Sequence, residues 1–151
     1  MIETQVEWTG QGLTFEGRTG RGTLTVSSVS ETPKQAFGPK ELVALGLGGC
    51  TGMDVVSILE KMRAVPTAFS VEVVGETRAE HPQRFERMRV HYRIEGEATQ
   101  DQVRRAVELS LTRYCGVAAT LSGVADIEPV ITLNGTPVEA PVVRAFSQTH
   151  P

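Results

Sequence analysis

The sequence is short of the residues and motifs that most often declare a function. Histidine occurs three times in 151 residues (His81, His91 and His150), tryptophan once and cysteine twice. The histidines lack the spacing of a metal site and stand apart from both cysteines in sequence. No G-x-S-x-G, P-loop or G-x-G-x-x-G occurs. That removes the serine-elbow hydrolases, the P-loop nucleotide enzymes and the dinucleotide fingerprint. Basic excess is absent too: 15 Lys and Arg stand against 18 Asp and Glu, for a net charge of −3. Such a balance argues against general affinity for nucleic-acid phosphates. The longest apolar run, Leu42 to Met53, is closed by Asp54 and is shorter than a bilayer span. The opening residues, Met1 to Trp8, hold neither a basic segment nor an apolar one of the secretory kind. A cytoplasmic protein with no membrane or nucleic-acid partner is expected. In that compartment a permanent structural disulfide is not. The two cysteines are therefore either buried thiols or a working pair.

What is present suits one domain. With 40% hydrophobic residues, a chain of this length buries roughly two-thirds of its unfolded surface. Residues 3–9, 12–17 and 22–28 read as strands, with Trp8 and Phe15 as apolar anchors. Residues 30–38 read as a loop. Pro39 suits the first position of a helix, Glu41 adds favourable charge to its first turn, and the pattern runs to about Arg63, before Pro66. From Leu42 to Leu59 this helix is apolar nearly all round, which predicts burial on every side. Gly46, Gly48, Gly49 and Gly52 lie inside it. Each costs about 1 kcal/mol against alanine in a helix, so another helix or a ligand should approach closely there.

Residues 68–79 and 84–95 predict a hairpin turning at His81-Pro82-Gln83. In its second strand Met88, Val90, Tyr92 and Ile94 share one face, and Arg87, Arg89, His91 and Arg93 the other. Thr99 opens a second helix with Gln102 completing a capping box. Its apolar face is expected to hold Val103, Ala106, Val107, Leu109, Ser110 and Tyr114, and Cys115-Gly116 interrupts it. A helical turn to Leu121, a strand over 127–133 and a peripheral tail from Pro137 complete the chain. Strands and helices come in blocks, so the class is α+β with an antiparallel sheet.

Cys50 lies in the glycine-rich helix, and Cys115 at the break in the second one. Most free cysteines are buried and inert. Small neighbours around Cys50 leave room for a reactant, and a thiol at a helix break can move. A reactive thiolate in an apolar pocket needs a nearby cation. Arg18 and Arg21 are candidates, as alternatives to two solvated turn residues, and Glu41 is a candidate to orient one of them. Asp54 follows Cys50 by one helical turn. It holds an arginine, captures a backbone donor, or is a structural buried carboxylate.

Three segments carry a resemblance. Pro39-Lys40-Glu41-Leu42-Val43 and Gly48-Gly49-Cys50, followed by Asp54-Val55-Val56-Ser57-Ile58-Leu59, resemble the OsmC/Ohr family of hydroperoxide reductases. So does Tyr114-Cys115-Gly116-Val117-Ala118. In its Cys-x-x-x-Asp-Val-Val-Ser-Ile-Leu form the chain most resembles the divergent YhfA-like branch. The resemblance runs from Trp8 to about Asn134, and an OsmC-like domain over 1–136 with a tail over 137–151 is expected. It implies an intertwined homodimer, with antiparallel sheets wrapped around two long central helices and the active sites at the interface. It implies Cys50 as the peroxidatic and Cys115 as the resolving cysteine, organic hydroperoxides as substrates, and a dithiol such as a lipoylated protein as reductant. No metal, haem or flavin cofactor is implied. The family's reactive-site arginine follows the first strand; here that stretch reads Gly10-Gln11-Gly12, and Arg18 and Arg21 are the nearest arginines. Two other readings stand beside the peroxidase. One is a module of the same fold that binds a small hydrophobic ligand. The other is a different thiol protein, either a redox sensor or a hydrolase.

Overall fold

The computed structural model describes residues 1–28 and 35–144. Two compact units divide the chain, Met1–Val43 and Ala44–Pro151.

The first unit is a four-stranded sheet in the order β1-β2-β3-β4, with β1 at Thr4–Trp8, β2 at Thr14–Thr19, β3 at Gly22–Ser27 and β4 at Ala36–Phe37. The first three strands form an antiparallel meander, and β4 joins β3 in parallel. The stretch read as a loop thus contains a short strand, and its residues 30–34 lie outside the described residues. Trp8, expected as an anchor, is exposed, and its indole N–H donates to the Gly12 carbonyl at 3.0 Å.

Helix α1, Pro39–Lys61, starts in this unit and continues into the second. Its start is capped as the sequence suggests, but by more than charge. The Gly38 N–H donates to Glu41 Oε2 at 2.7 Å, which satisfies a donor that the first turn leaves open. After Lys61 the chain leaves the helix through Arg63 at φ 57°, the left-handed conformation that commonly ends helices.

The second unit carries the hydrophobic core. Its sheet runs β5-β6-β7-β8: β5 is Ala68–Thr77, β6 Phe85–Glu95, β7 Asp126–Leu133 and β8 Thr136–Val138. The hairpin loop is longer than three residues: 78–84 connect β5 to β6, tied by Arg78 Nε to the Pro82 carbonyl at 2.7 Å. Met88, Val90, Tyr92 and Ile94 are buried as the alternation requires. On the other face Arg87 pairs with Glu76 and Glu128, and Arg93 with Glu72. That is a solvated sheet face with cross-strand ion pairs.

The expectation of an antiparallel sheet needs correction at its centre, because β6 and β7 pair in parallel. The helices between them set this direction: a parallel neighbour requires a crossover, and α2 (Gln100–Leu109) and α3 (Gly116–Leu121) supply it. The sheet also extends past residue 136. Asn134 and Gly135, both at positive φ, form a tight turn, and β8 pairs antiparallel with β7. The strand takes Val138 into the core, inside the segment expected as a tail.

In α1, Leu47, Thr51, Val55 and Leu59 recur every four residues and are buried. Gly48 and Gly52 flank that row and let the helix lie close to β5. A Cβ at Gly48 would come 3.2 Å from Val73 Cγ2, and one at Gly52 3.4 Å from Val71 Cγ2. Among the described residues, nothing lies within 4 Å of where a Cβ would sit at Gly46 or Gly49. Around them Leu45 is 57% and Met53 71% exposed. Burial on every side is therefore not what the single chain shows: one face packs on the sheet and an apolar face is left open. The helix ends at Lys61, close to the end expected near Arg63. It is long and apolar enough to cross a membrane by length and composition alone, while its buried row does the work of a core helix.

Candidate thiol site

Three segments of the second unit build the site. α1 contributes Cys50, Thr51 and Asp54. Cys50 and Asp54 are four apart and share a face, while Thr51 points into the core. Strand β6 contributes Tyr92 from its buried face. The segment after α2 contributes Ser110 and Cys115.

That last segment differs from its sequence reading. The capping box at Thr99 and Gln102 is present, with Gln102 N–H donating to Thr99 Oγ1 at 3.2 Å and Thr99 N–H to Gln102 Oε1 at 3.0 Å. The α-helix stops at Leu109, however, and Ser110–Tyr114 wind as a π-helix, closed by the Cys115 N–H donating to the Ser110 carbonyl at 2.8 Å. This wider turn displaces the residues after it from the α-helical face. Tyr114, expected on the apolar face, is exposed, with the Arg113 guanidinium 5.5 Å from its ring centre. Cys115 then caps α3: its backbone is extended, at φ −72° and ψ 100°, and its sulfur accepts the Ala118 N–H at 3.3 Å.

Both cysteines are free thiols, Cys50 half-buried and Cys115 3% exposed. Their sulfurs and a carboxylate oxygen of Asp54 lie within 4.8 Å of one another. The 65 residues between the cysteines (115 − 50) are thus closed by tertiary structure. Burial pushes the Cys115 thiol up to about 12. The Ala118 N–H works against that rise, whereas the hydrogen bond and charge of Cys50 and the charge of Asp54 add to it.

Behind the thiols is a chain of buried hydroxyls. Tyr92 OH meets Thr51 Oγ1 at 2.8 Å, Thr51 Oγ1 meets Ser110 Oγ at 2.7 Å, and Ser110 Oγ donates to Asp54 Oδ2 at 3.0 Å. Each hydroxyl has one proton, and an ionised carboxylate only accepts. Ser110 therefore accepts from Thr51, and Thr51 accepts from Tyr92. Burial raises the Tyr92 phenol above its ordinary value and keeps it a donor. Asp54, left open between three roles in the sequence, takes its hydrogen bond from a side chain. Tyr92, Thr51 and Ser110 were not singled out there as site residues. Their signal was polarity at core positions: a threonine inside the apolar helix α1, a tyrosine in the inward row of β6, and a serine on the apolar face expected for the second helix.

The other candidates lie in the first unit. Arg18 is exposed and engaged on its own sheet. It pairs with Glu16, with Nε donating to Oε1 at 2.6 Å, and with Glu7 at 3.8 Å. Glu16 first, and Glu7 after it, raise the guanidinium's affinity for its proton. Arg21 sits in the β2–β3 turn, its N–H donating to Thr19 Oγ1 at 3.0 Å. Glu41, a candidate to orient an arginine, spends Oε2 on the Gly38 N–H.

An α+β unit that brings two free thiols together from a central helix and a helix break defines a class of cysteine-pair proteins. This chain belongs to the OsmC-like protein family, whose model matches residues 32–129. Protein YhfA of Escherichia coli (strain K12) is 35% identical over 127 residues, which cover 83% of this chain and 93% of that protein. Among solved structures, a hypothetical protein from Aquifex aeolicus VF5 superposes with a TM-score of 0.80 at 25% identity, over 89% of this chain and 96% of that one. An organic hydroperoxide resistance protein from Elizabethkingia anophelis shares the fold, with a TM-score of 0.71 at 13% identity over 89% and 96% of the two chains.

Proposed function

We propose that this protein is a thiol-dependent peroxidase that reduces organic hydroperoxides. One observation carries the reading: two free thiols, distant in sequence, stand within 4.8 Å in a half-buried site. The name of the Elizabethkingia structure and the family membership support it. The Cys50 thiolate attacks the O–O bond. A sulfur–oxygen bond forms, the O–O bond breaks, and the alkoxide takes a proton to leave as the alcohol. The Cys115 thiol then displaces hydroxide from the Cys50 sulfenic acid, giving the Cys50–Cys115 disulfide and, with the thiol proton, water. An external dithiol, such as a lipoylated protein, returns the pair to thiols by two exchanges and is itself oxidised. A reducing cytoplasm suits this cycle.

In this reading Arg18 or Arg21 steadies the Cys50 thiolate, Glu41 assists that arginine, and the working form is a homodimer. The open apolar face of α1, with Leu45 and Met53 on it, supports the dimer.

The test is a thiol count by intact mass after an equimolar addition of cumene hydroperoxide to the reduced protein. Cys50→Ser and Cys115→Ser run alongside. The wild type should lose two hydrogens as an intramolecular disulfide, and Cys115→Ser should trap a sulfenic acid. Thiols that stay reduced under excess peroxide would defeat the catalytic reading and favour a ligand-binding module. Oxidation without turnover in the presence of a dithiol would identify a sensor.

A further inference from the structure

The atoms that meet at the thiol pair suit a cation better than they suit one another. Sγ of Cys50, Sγ of Cys115 and an oxygen of Asp54 lie within 4.8 Å. A carboxylate beside two thiols disfavours charge on either sulfur unless a positive charge stands close by. Two soft sulfurs and one carboxylate match the donor types that zinc takes from proteins. A tetrahedral zinc with Zn–S near 2.3 Å spaces neighbouring sulfurs about 3.8 Å apart. Closing the present triangle onto an ion therefore asks for side-chain movements of about 1 Å. Histidine spacing carries no sign of this cluster, which contains no histidine.

A second observation is the support behind the carboxylate. Tyr92, Thr51 and Ser110 are all fully buried, and their hydrogen bonds run in one direction, ending on Asp54 Oδ2. Hydrogen bonds to a ligating carboxylate fix its orientation and are a recurrent part of metal sites. The same carboxylate has acceptor capacity left for another partner.

We propose that this pocket binds a thiophilic divalent cation, zinc foremost. Cys50 Sγ, Cys115 Sγ and Asp54 hold it, and a fourth position opens on the exposed side of Cys50. Binding releases the thiol protons to solvent and changes no oxidation state. It withholds both sulfurs from peroxide, so the metal-bound form is a protected, inactive one. The inference shares residues with the peroxidase reading but does not depend on it.

The test is a zinc titration of the full chain, reduced and kept under nitrogen, against a chromogenic chelator. Cobalt(II) serves as the spectroscopic stand-in. One zinc should bind per chain, and the cobalt form should show thiolate-to-metal charge-transfer absorption. Cys50→Ser, Cys115→Ser and Asp54→Asn should each weaken zinc by about tenfold or more, and Ser110→Ala by about tenfold through the orientation of Asp54. A fully reduced wild type that takes up no zinc overturns the proposal. So does equal uptake by the Cys50→Ser/Cys115→Ser double variant, or an unchanged affinity in folded Asp54→Asn. The peroxide thiol count, made on metal-free protein, is judged apart from this. A chain that reacts with peroxide but ignores zinc loses only the metal site. One that binds zinc but ignores peroxide loses only the peroxidase. Zinc-loaded protein should also keep its thiols reduced longer at equal peroxide.

Discussion

The Ser110 hydroxyl donates to Asp54 Oδ2 at 3.0 Å, and that one bond sets the direction of the buried chain through Thr51 to Tyr92. Direction has an energetic consequence. Ser110→Ala leaves the Thr51 proton without an acceptor and Asp54 without its donor, where Thr51 is fully buried. It should cost about 1–3 kcal/mol. Tyr92→Phe removes only the outermost donor and should cost less, about 0.5–1.5 kcal/mol. Urea unfolding of both variants checks the order. Equal or reversed costs would mean that the chain does not run toward Asp54.

Cys115 is held as a thiol by its surroundings, burial first. In the unfolded chain it ionises near its ordinary 9.0; in the folded chain it does so near 12. The folded state therefore binds the proton more tightly. The stability this provides is complete below about pH 9 and is lost as the pH rises toward 12. Under reductant, the unfolding free energy of the wild type should fall more steeply above pH 9 than that of Cys115→Ser. Parallel slopes would contradict the assignment. The same burial predicts a labelling order: iodoacetamide at pH 8 should modify half-buried Cys50 before Cys115, read by peptide mass.

The open face of α1 predicts assembly. Leu45 and Met53 are exposed there, and Gly46 and Gly49 leave space for a close neighbour. Light scattering of the wild type should report a dimer. Leu45→Asp and Met53→Asp should shift it to the monomer mass of 16.3 kDa, because a carboxylate is costly to bury in an apolar contact. A monomeric wild type at micromolar concentration would remove the homodimer, and with it the interface-site model.

Much of the fold was legible because local rules and packing agree. The β6 alternation, the proline at the start of α1 and the Thr99–Gln102 box each name an element, and each is present. What escaped depends on contacts between distant segments or on subtle winding. Nothing near β6 says that its neighbour β7 will be parallel, because that follows from how α2 and α3 carry the chain. Asn134-Gly135 was a turn signal in plain view, and β8 follows from it. The glycines of α1 raised the right question but had two answers, a strand against Gly48 and Gly52 and open space at Gly46 and Gly49. Cys50 and Asp54 were placed on one face by helix periodicity alone. The approach of Cys115 and the hydroxyl chain were not readable, since all of these contacts cross from α1 to β6 or to the segment after α2.

Five residues wound as a π-helix, Ser110–Tyr114, bring the chain to Cys115. Deleting one of them would let the tighter winding resume and swing the sulfur around the axis by about 100°. Every group that could touch peroxide would still be encoded, yet the thiols would face different ways. Among relatives, a gap of one residue in this stretch is therefore as informative as a missing cysteine: the pair depends on a residue count as well as on residue identity.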